Sequence, residues 1–203
     1  MSRPLPAEET PTNPPDGRGR PLGRLIVLSG ASGSGKSTLV DRLLERDDPP
    51  LSRSVSSTTR APRAGEVDSQ SYHFLAREEF ERARDDGAFL EWAEVHGQLY
   101  GTSARVVREA LDAGLSLVLV IDVQGAMQVR DRMPDALLIF VHAPDEDTLE
   151  TRLRDRGTDD EATIQTRLAN ARDEVALADR YDHQIVNDDL DRAVDALADI
   201  LHR

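Results

Sequence analysis

The sequence predicts an α/β fold in three layers, a parallel sheet between two layers of helices, with a small mixed β insert and a helical lid. Three observations predict it. Apolar runs at 25–28, 115–121 (interrupted only by Ser116) and 136–141 alternate with amphipathic helical segments, the pattern of strands buried on both faces. A glycine-rich turn, Gly30-Ala31-Ser32-Gly33-Ser34-Gly35, joins the first apolar run to the first helix. Between 52 and 102 the rhythm breaks into short strands, and this stretch holds the one Trp, three of the four Phe and two of the three Tyr.

Residues 1–22 carry six prolines and almost no apolar pattern. They read as a disordered tail, with a start near Arg24 as an alternative. Residues 24–29 form the first strand and 35–46 the first helix, stopped by Asp47-Asp48-Pro49-Pro50. Residues 54–59 are β-prone, 60–66 a loop, 72–75 a short strand, 77–86 a helix closed by Gly87, and 89–94 an alternating strand. Ser103 caps a helix that Gly114 ends; the strand 115–121 runs into Asp122, the helix 124–132 follows, and 136–141 is a further buried strand. Pro144 suits a first helical position with acids at 145–147, and that helix bears Arg152, Arg154 and Arg156 before Gly157. Thr158-Asp159-Asp160-Glu161 reads as a capping box for the next helix. The last strand is 184–186, and Leu190, Ala193, Val194, Leu197 and Leu201 give the closing helix its apolar face. This divides a domain at 23–203 into a core (23–51, 103–147 and 177–203), an insert (52–102) and a lid (148–176).

Composition removes several functions. The chain has no cysteine, which excludes disulfides, thiolate metal sites and cysteine nucleophiles and fits a cytoplasmic protein. Its apolar runs fall far short of the roughly 20 residues that span a bilayer, and the N-terminus has no signal-peptide core. The net charge of −13 repels nucleic acid. The five histidines have no metal-ligand spacing. A phosphorylated ligand therefore needs a local basic pocket.

Gly30-Ala31-Ser32-Gly33-Ser34-Gly35-Lys36-Ser37-Thr38 supplies one. Strand, glycine-rich turn and helix form the context in which this motif is a phosphate loop, the P-loop of NTPases. Backbone N–H groups turn around an anion, Lys36 reaches the β- and γ-phosphates, and the Ser37 hydroxyl holds Mg²⁺. Lys36 is the only lysine beside 24 arginines, the one place where a compact ammonium fits better than a planar fork. Asp122 ends a buried strand at the edge where ligands bind, so it can orient Mg²⁺ or cap the helix that follows. Arg60 and Arg63 flank Ala61-Pro62, stiffened to hold one phosphate or left as solvated surface. Tyr72 and Tyr100 add hydroxyl donors or only packing. Glu91 lies inside an apolar strand; buried, it needs donors, and guanine offers two on one edge where adenine offers an acceptor. Facing outward, it is an ordinary edge-strand acid. Arg152, Arg154, Arg156 and Arg167 surround Gly157 as cationic clamps of a closing lid, Arg154 instead pairing with Glu150 at i, i+4.

These residues resemble guanylate kinases. The matching runs are 54–68, 87–97, 99–102, Ile121-Asp122-Val123-Gln124-Gly125, Arg152-Leu153 with Arg156-Gly157, and Ile185-Val186-Asn187-Asp188-Asp189. The resemblance covers the chain from about Arg24 onward. It implies transfer of phosphate from ATP to GMP (and dGMP) with Mg²⁺, in purine nucleotide metabolism and GMP recycling, by a core, a GMP-binding insert and a lid. It implies that Arg60, Arg63, Tyr72 and Tyr100 hold the GMP phosphate. Ser56, Glu91, Thr102 and Asp122 would read guanine or its surroundings. Arg152, Arg156 and Arg167 would contact ATP phosphates or the transition state, and Asn187 would sit near adenine. Many members have Asp-Ile-Asp where this chain has Val120-Ile121-Asp122, so Asp122 stands without the first acid. Two other readings are a catalytically silent peptide-binding scaffold, which would have a degraded phosphate loop, and a kinase for another phosphorylated sugar or nucleotide.

Overall fold

The computed structural model describes residues 23–63, 65–95, 97–155 and 160–203. The expected tail at 1–22 and the arginine expected at position 156 lie outside the described residues. Strand β1 (Leu25–Ser29) is buried along its whole length. It is the centre of a five-stranded parallel sheet with β2 (Ser52–Arg53), β7 (Leu117–Val120), β8 (Leu137–His142) and β9 (His183–Val186), in the order β2-β7-β1-β8-β9. Val27 registers with Leu119 on one side and Leu138 on the other.

Alternation along β1 builds both helical layers. Leu25 and Val27 point to one face, packed with Val107 of α3 (Ala104–Asp112) and Val123, Ala126 and Val129 of α4 (Val123–Arg132). Ile26 and Leu28 point to the other, against Leu39, Val40 and Leu43 of α1 (Lys36–Arg46) and Val194 and Leu197 of α7 (Leu190–Leu201). A side chain every second position therefore ties one strand to two helix layers.

The insert is a separate mixed sheet. Its strands β3 (Ser57–Thr58), β4 (His73–Phe74), β5 (Phe89–Val95) and β6 (Gln98–Ser103) lie in the order β4-β3-β6-β5, beside helix α2 (Arg77–Asp85). The stacked rings of Phe80 and Phe89, centroids 4.4 Å apart, make its small core with Leu99. The edge of β5 is tied to α4: Gln128 Nε2 donates to Trp92 O at 2.6 Å, and Gln128 Oε1 accepts from Trp92 N at 3.2 Å. One amide side chain thus does for this strand what a neighbouring strand does elsewhere. The lid helices α5 (Glu146–Asp155) and α6 (Glu161–Val175) pack Leu149, Leu153, Ile164 and Leu168 on Ala31 of the phosphate loop.

The structure differs from the expected elements at five points. Ser52 and Arg53, expected in the insert, pair with Leu117 and Val118 at the edge of the main sheet. A pair of exposed polar residues gives no strand signal, and the pairing is made by backbone alone. The segment 98–103 is a strand that the sequence reading passed over. The seventh strand begins at Leu117; Leu115 is 54% exposed, and its N–H closes the preceding helix on Ala110 O. Helix α5 opens after Pro144, with Asp145 Oδ1 accepting from Thr148 N at 2.6 Å; α6 is capped by Asp160, which accepts from Thr163 N at 2.8 Å. Thr158 and Asp159 of the expected capping box lie outside the described residues.

Candidate active site

The phosphate loop occupies the carboxyl end of β1, where the sheet opens. Gly30, Gly33 and Gly35 have φ of 134°, 93° and 91°, which L side chains rarely adopt. Space is also closed at two of them: a Cβ at Gly30 would collide with the Val141 carbonyl, and one at Gly35 with Asn187 Nδ2. Lys36 Nζ donates to Gly30 O at 2.7 Å and Ala31 O at 2.8 Å, so the ammonium lies inside its own loop. Ala31, Gly33, Ser34 and Thr38 shape the turn and the first helical residues, whereas Gly30, Ser32, Lys36 and Ser37 line the cleft beyond it.

Two residues from elsewhere brace the loop from behind. Asn187 is buried, and its Nδ2 donates to Ser34 O at 2.8 Å. Arg152 Nη2 donates to Asn187 O at 2.9 Å, while its Nη1 is buried with no partner among the described residues. A buried guanidinium N–H without an acceptor is ready for an anion. Asn187, expected near adenine, supports the loop from behind through its bond to Ser34 O.

Across a cleft of about 360 Å³, the insert presents Ser56, Arg63, Tyr72, Glu91 and Tyr100. The Tyr72 and Tyr100 rings meet edge to face, 6.1 Å apart, and burial raises the Tyr72 phenol above its usual range. Arg60 does not line the cleft. Its Nη2 is 2.8 Å from Glu66 Oε1, and its guanidinium lies 5.4 Å from the Tyr72 ring centre. Glu66 also accepts from Arg63 N at 2.7 Å. One carboxylate thus orders both arms of the 60–66 loop, and the Arg60 ion pair holds its acid below the usual range. Any anion reaching Arg60 would have to compete with Glu66 for it.

Glu91 is 3% exposed, which decides against the edge-strand reading. Thr102 Oγ1, fully buried, donates to Glu91 Oε1 at 2.6 Å. Burial, reinforced by the charge of Asp122, raises the Glu91 carboxyl to about 7, against the pull of the Thr102 bond. A carboxyl so placed is poised to ionise when donors arrive. Asp122 occupies two roles in the packing. It caps α4, Oδ1 accepting from Gly125 N at 2.8 Å, and it lines the cleft, where burial raises it and Lys36 draws it down.

The lid supplies Arg167, whose Nη1 donates to Ser32 Oγ at 3.1 Å. Asn170 and Glu174, on the same face of α6, line the cleft with it. The sequence reading missed both, along with Gln124 and Arg53, which also line it. The available signal was the i, i+3, i+7 spacing from Arg167. Glu174 is pushed up to about 7 by burial, with Lys36 and the Ser32 N–H opposing and Asp122 reinforcing. Three carboxyls and Lys36 therefore share one electrostatic environment. Arg154 points away: it bonds Glu150 at 2.6 Å and Glu161 at 2.8 Å, joining the two lid helices on their exposed side. Replacing Arg154 by Ala is expected to leave turnover within about twofold, as exposed ion pairs contribute little, whereas Arg167→Ala lowers it; steady-state kinetics on the two variants checks the difference.

A glycine loop with its lysine, braced at the head of a parallel sheet and faced by a second polar half-site, defines a phosphate-loop nucleotide-binding protein with room for a second ligand. Comparison with known proteins narrows the class. The family model described as Guanylate kinase matches residues 22–203. A guanylate kinase of Rubrobacter xylanophilus is 52% identical over 181 residues, covering 89% of this chain and 94% of that protein. One from Gloeobacter violaceus is 52% identical over 185 residues, covering 90% and 89%. The crystal structure of guanylate kinase from Anaplasma phagocytophilum has a TM-score of 0.73 at 35% identity, covering 89% of this chain and 85% of that one. The chain belongs to the guanylate kinase family.

Proposed function

We propose that this chain transfers the γ-phosphoryl group of ATP to GMP, giving ADP and GDP. The observation that carries the reading is Glu91, a buried carboxylate across the cleft from an intact phosphate loop. Ionised, it accepts both the N1–H and the N2 amine of guanine, and it leaves adenine's N1 facing an acceptor. Thr102 and Ser56 support that edge. Arg63, Tyr72 and Tyr100 hold the GMP phosphate, and Arg60 joins them by leaving Glu66. The loop N–H groups, Lys36, Arg152, Arg156 and Arg167 hold the ATP phosphates.

An oxygen of the GMP phosphate attacks the γ-phosphorus in line, and the bond from that phosphorus to the β–γ bridging oxygen breaks. The attacking group is already an anion, so no strong base is needed; catalysis is positioning and charge neutralisation. Closing of insert and lid excludes water and suppresses hydrolysis of ATP. The donor set fits Mg²⁺ arriving with the nucleotide. No group of three His, Asp or Glu side chains able to hold a metal occurs among the described residues; Ser37 Oγ lines the cleft next to Lys36 and would be the protein's ligand to an ion carried in by the nucleotide. Ser37 would hold a Mg²⁺ ion there, and the ion would supply charge neutralisation during the transfer.

The same reading takes dGMP as a second acceptor. Among the described residues no helix is long and apolar enough to cross a membrane, and the reading keeps the cytoplasmic role in purine nucleotide metabolism and GMP recycling. A coupled assay with ATP and GMP, dGMP, AMP or ribose bisphosphate tests it. GMP and dGMP are expected to turn over, with AMP at least about a hundredfold less efficient. Comparable turnover of AMP or ribose bisphosphate, or none of any acceptor, overturns it.

A further inference from the structure

Helix α4 contains a glycine that its backbone does not require. Gly125 lies in the first turn with ordinary right-handed helical geometry, and it is buried. Glycine inside a helix is less favourable than alanine, because more chain entropy is lost. What glycine provides here is space. A Cβ built at position 125 would collide with Glu91 Oε2, lie 3.1 Å from Glu91 Cδ and lie 3.3 Å from Asp122 Oδ1. The Glu91 carboxyl is thus held on two sides. Thr102 donates to Oε1 from the neighbouring strand, and Oε2 rests over the bare Cα of a core helix. One turn further along α4, Gln128 fixes the Trp92 backbone, the residue after Glu91. The core helix therefore sets the position of an insert side chain.

We propose that Gly125 is a specificity-positioning residue: its missing side chain is the space in which the Glu91 carboxyl lies, and that space fixes the carboxyl for the guanine edge. This rests on the reading of Glu91 as the guanine acceptor. A methyl group at 125 drives the carboxyl off α4 and strains the Thr102 bond, without touching the phosphate loop. The position acts first on the Glu91 carboxyl, with Asp122 Oδ1 as its other close neighbour.

The test is the split between KM values in Gly125→Ala, Glu91→Gln, Glu91→Ala and the double variant Glu91→Ala/Gly125→Ala. Gly125→Ala is expected to raise the KM for GMP roughly tenfold to a hundredfold, the scale of losing a placed hydrogen bond, and to leave the KM for ATP within about twofold. In the Glu91→Ala background, where the colliding carboxyl is gone, the same change adds no further rise, because two residues acting through one contact are not additive. If Gly125→Ala does not fold, recovery of soluble protein by Glu91→Ala supports the proposal and failure to recover overturns it. A KM for GMP unchanged in Gly125→Ala, or raised together with that for ATP, overturns it while leaving the Glu91 reading intact. Unchanged base discrimination in Glu91→Gln defeats the Glu91 reading, and the proposal with it.

Discussion

Replacing Lys36 by Met is expected to lower kcat about a thousandfold or more with the fold intact, the scale of removing a charged group from a dry, preorganised site. The ammonium already sits inside the loop, on the Gly30 and Ala31 carbonyls. On the proposed reading the γ-phosphoryl group would draw it forward, and its charge would then meet the charge that develops during transfer. The change should fall mostly on kcat, because the loop N–H groups still bind the β-phosphate. Lys36→Arg is expected to lose most of the activity as well, since a planar fork cannot occupy the space between two loop carbonyls. The surroundings tolerate the loss structurally: β1 beneath the loop and the Ala31 contact with the lid are apolar. Unchanged circular dichroism with collapsed turnover is the predicted result, and near-normal turnover removes the loop lysine from the mechanism.

The second large effect is Glu91→Gln, expected to raise the KM for GMP about a hundredfold and to cut the preference for GMP over AMP by a similar factor. The amide still accepts from Thr102 through one oxygen. Its NH₂ group, however, faces guanine's N1–H and amine as donor against donor, while adenine's N1 now finds a donor. Burial of the acid, which holds it near 7, makes this substitution structurally benign: a neutral side chain of the same shape replaces one that resists ionisation. A fall in base discrimination in a stable protein is therefore a loss of recognition.

The main sheet was legible because strands buried on both faces are written as unbroken apolar runs, and the phosphate loop because its glycines, lysine and hydroxyl have one spacing. What escaped depends on partners distant in sequence. Ser52 and Arg53 become a strand only because Leu117 and Val118 lie beside them. Glu91 could face in or out until Thr102 and the bare Cα of Gly125 were found against it. Glu174 reads as one more acid on a solvated helix, and it acquires meaning only when α6 docks with Arg167 on Ser32. Asn187 was legible as a motif residue; its place behind Ser34 was not. Asp122 shows why spacing alone could not choose: one carboxyl both caps α4 and faces the cleft.

The central claim, that an ionised Glu91 reads guanine, is tested most directly by calorimetric titration of GMP at pH 6 in two buffers of different ionisation enthalpy. The free carboxyl, near 7, is mostly protonated at that pH, and guanine's donors bind only the ionised form, so binding must expel its proton. At pH 8 the group is already ionised and little is expelled. Wild-type protein is predicted to release most of one proton more than Glu91→Gln at pH 6, with the difference vanishing by pH 8. Equal proton release from the two proteins at pH 6 would contradict the account.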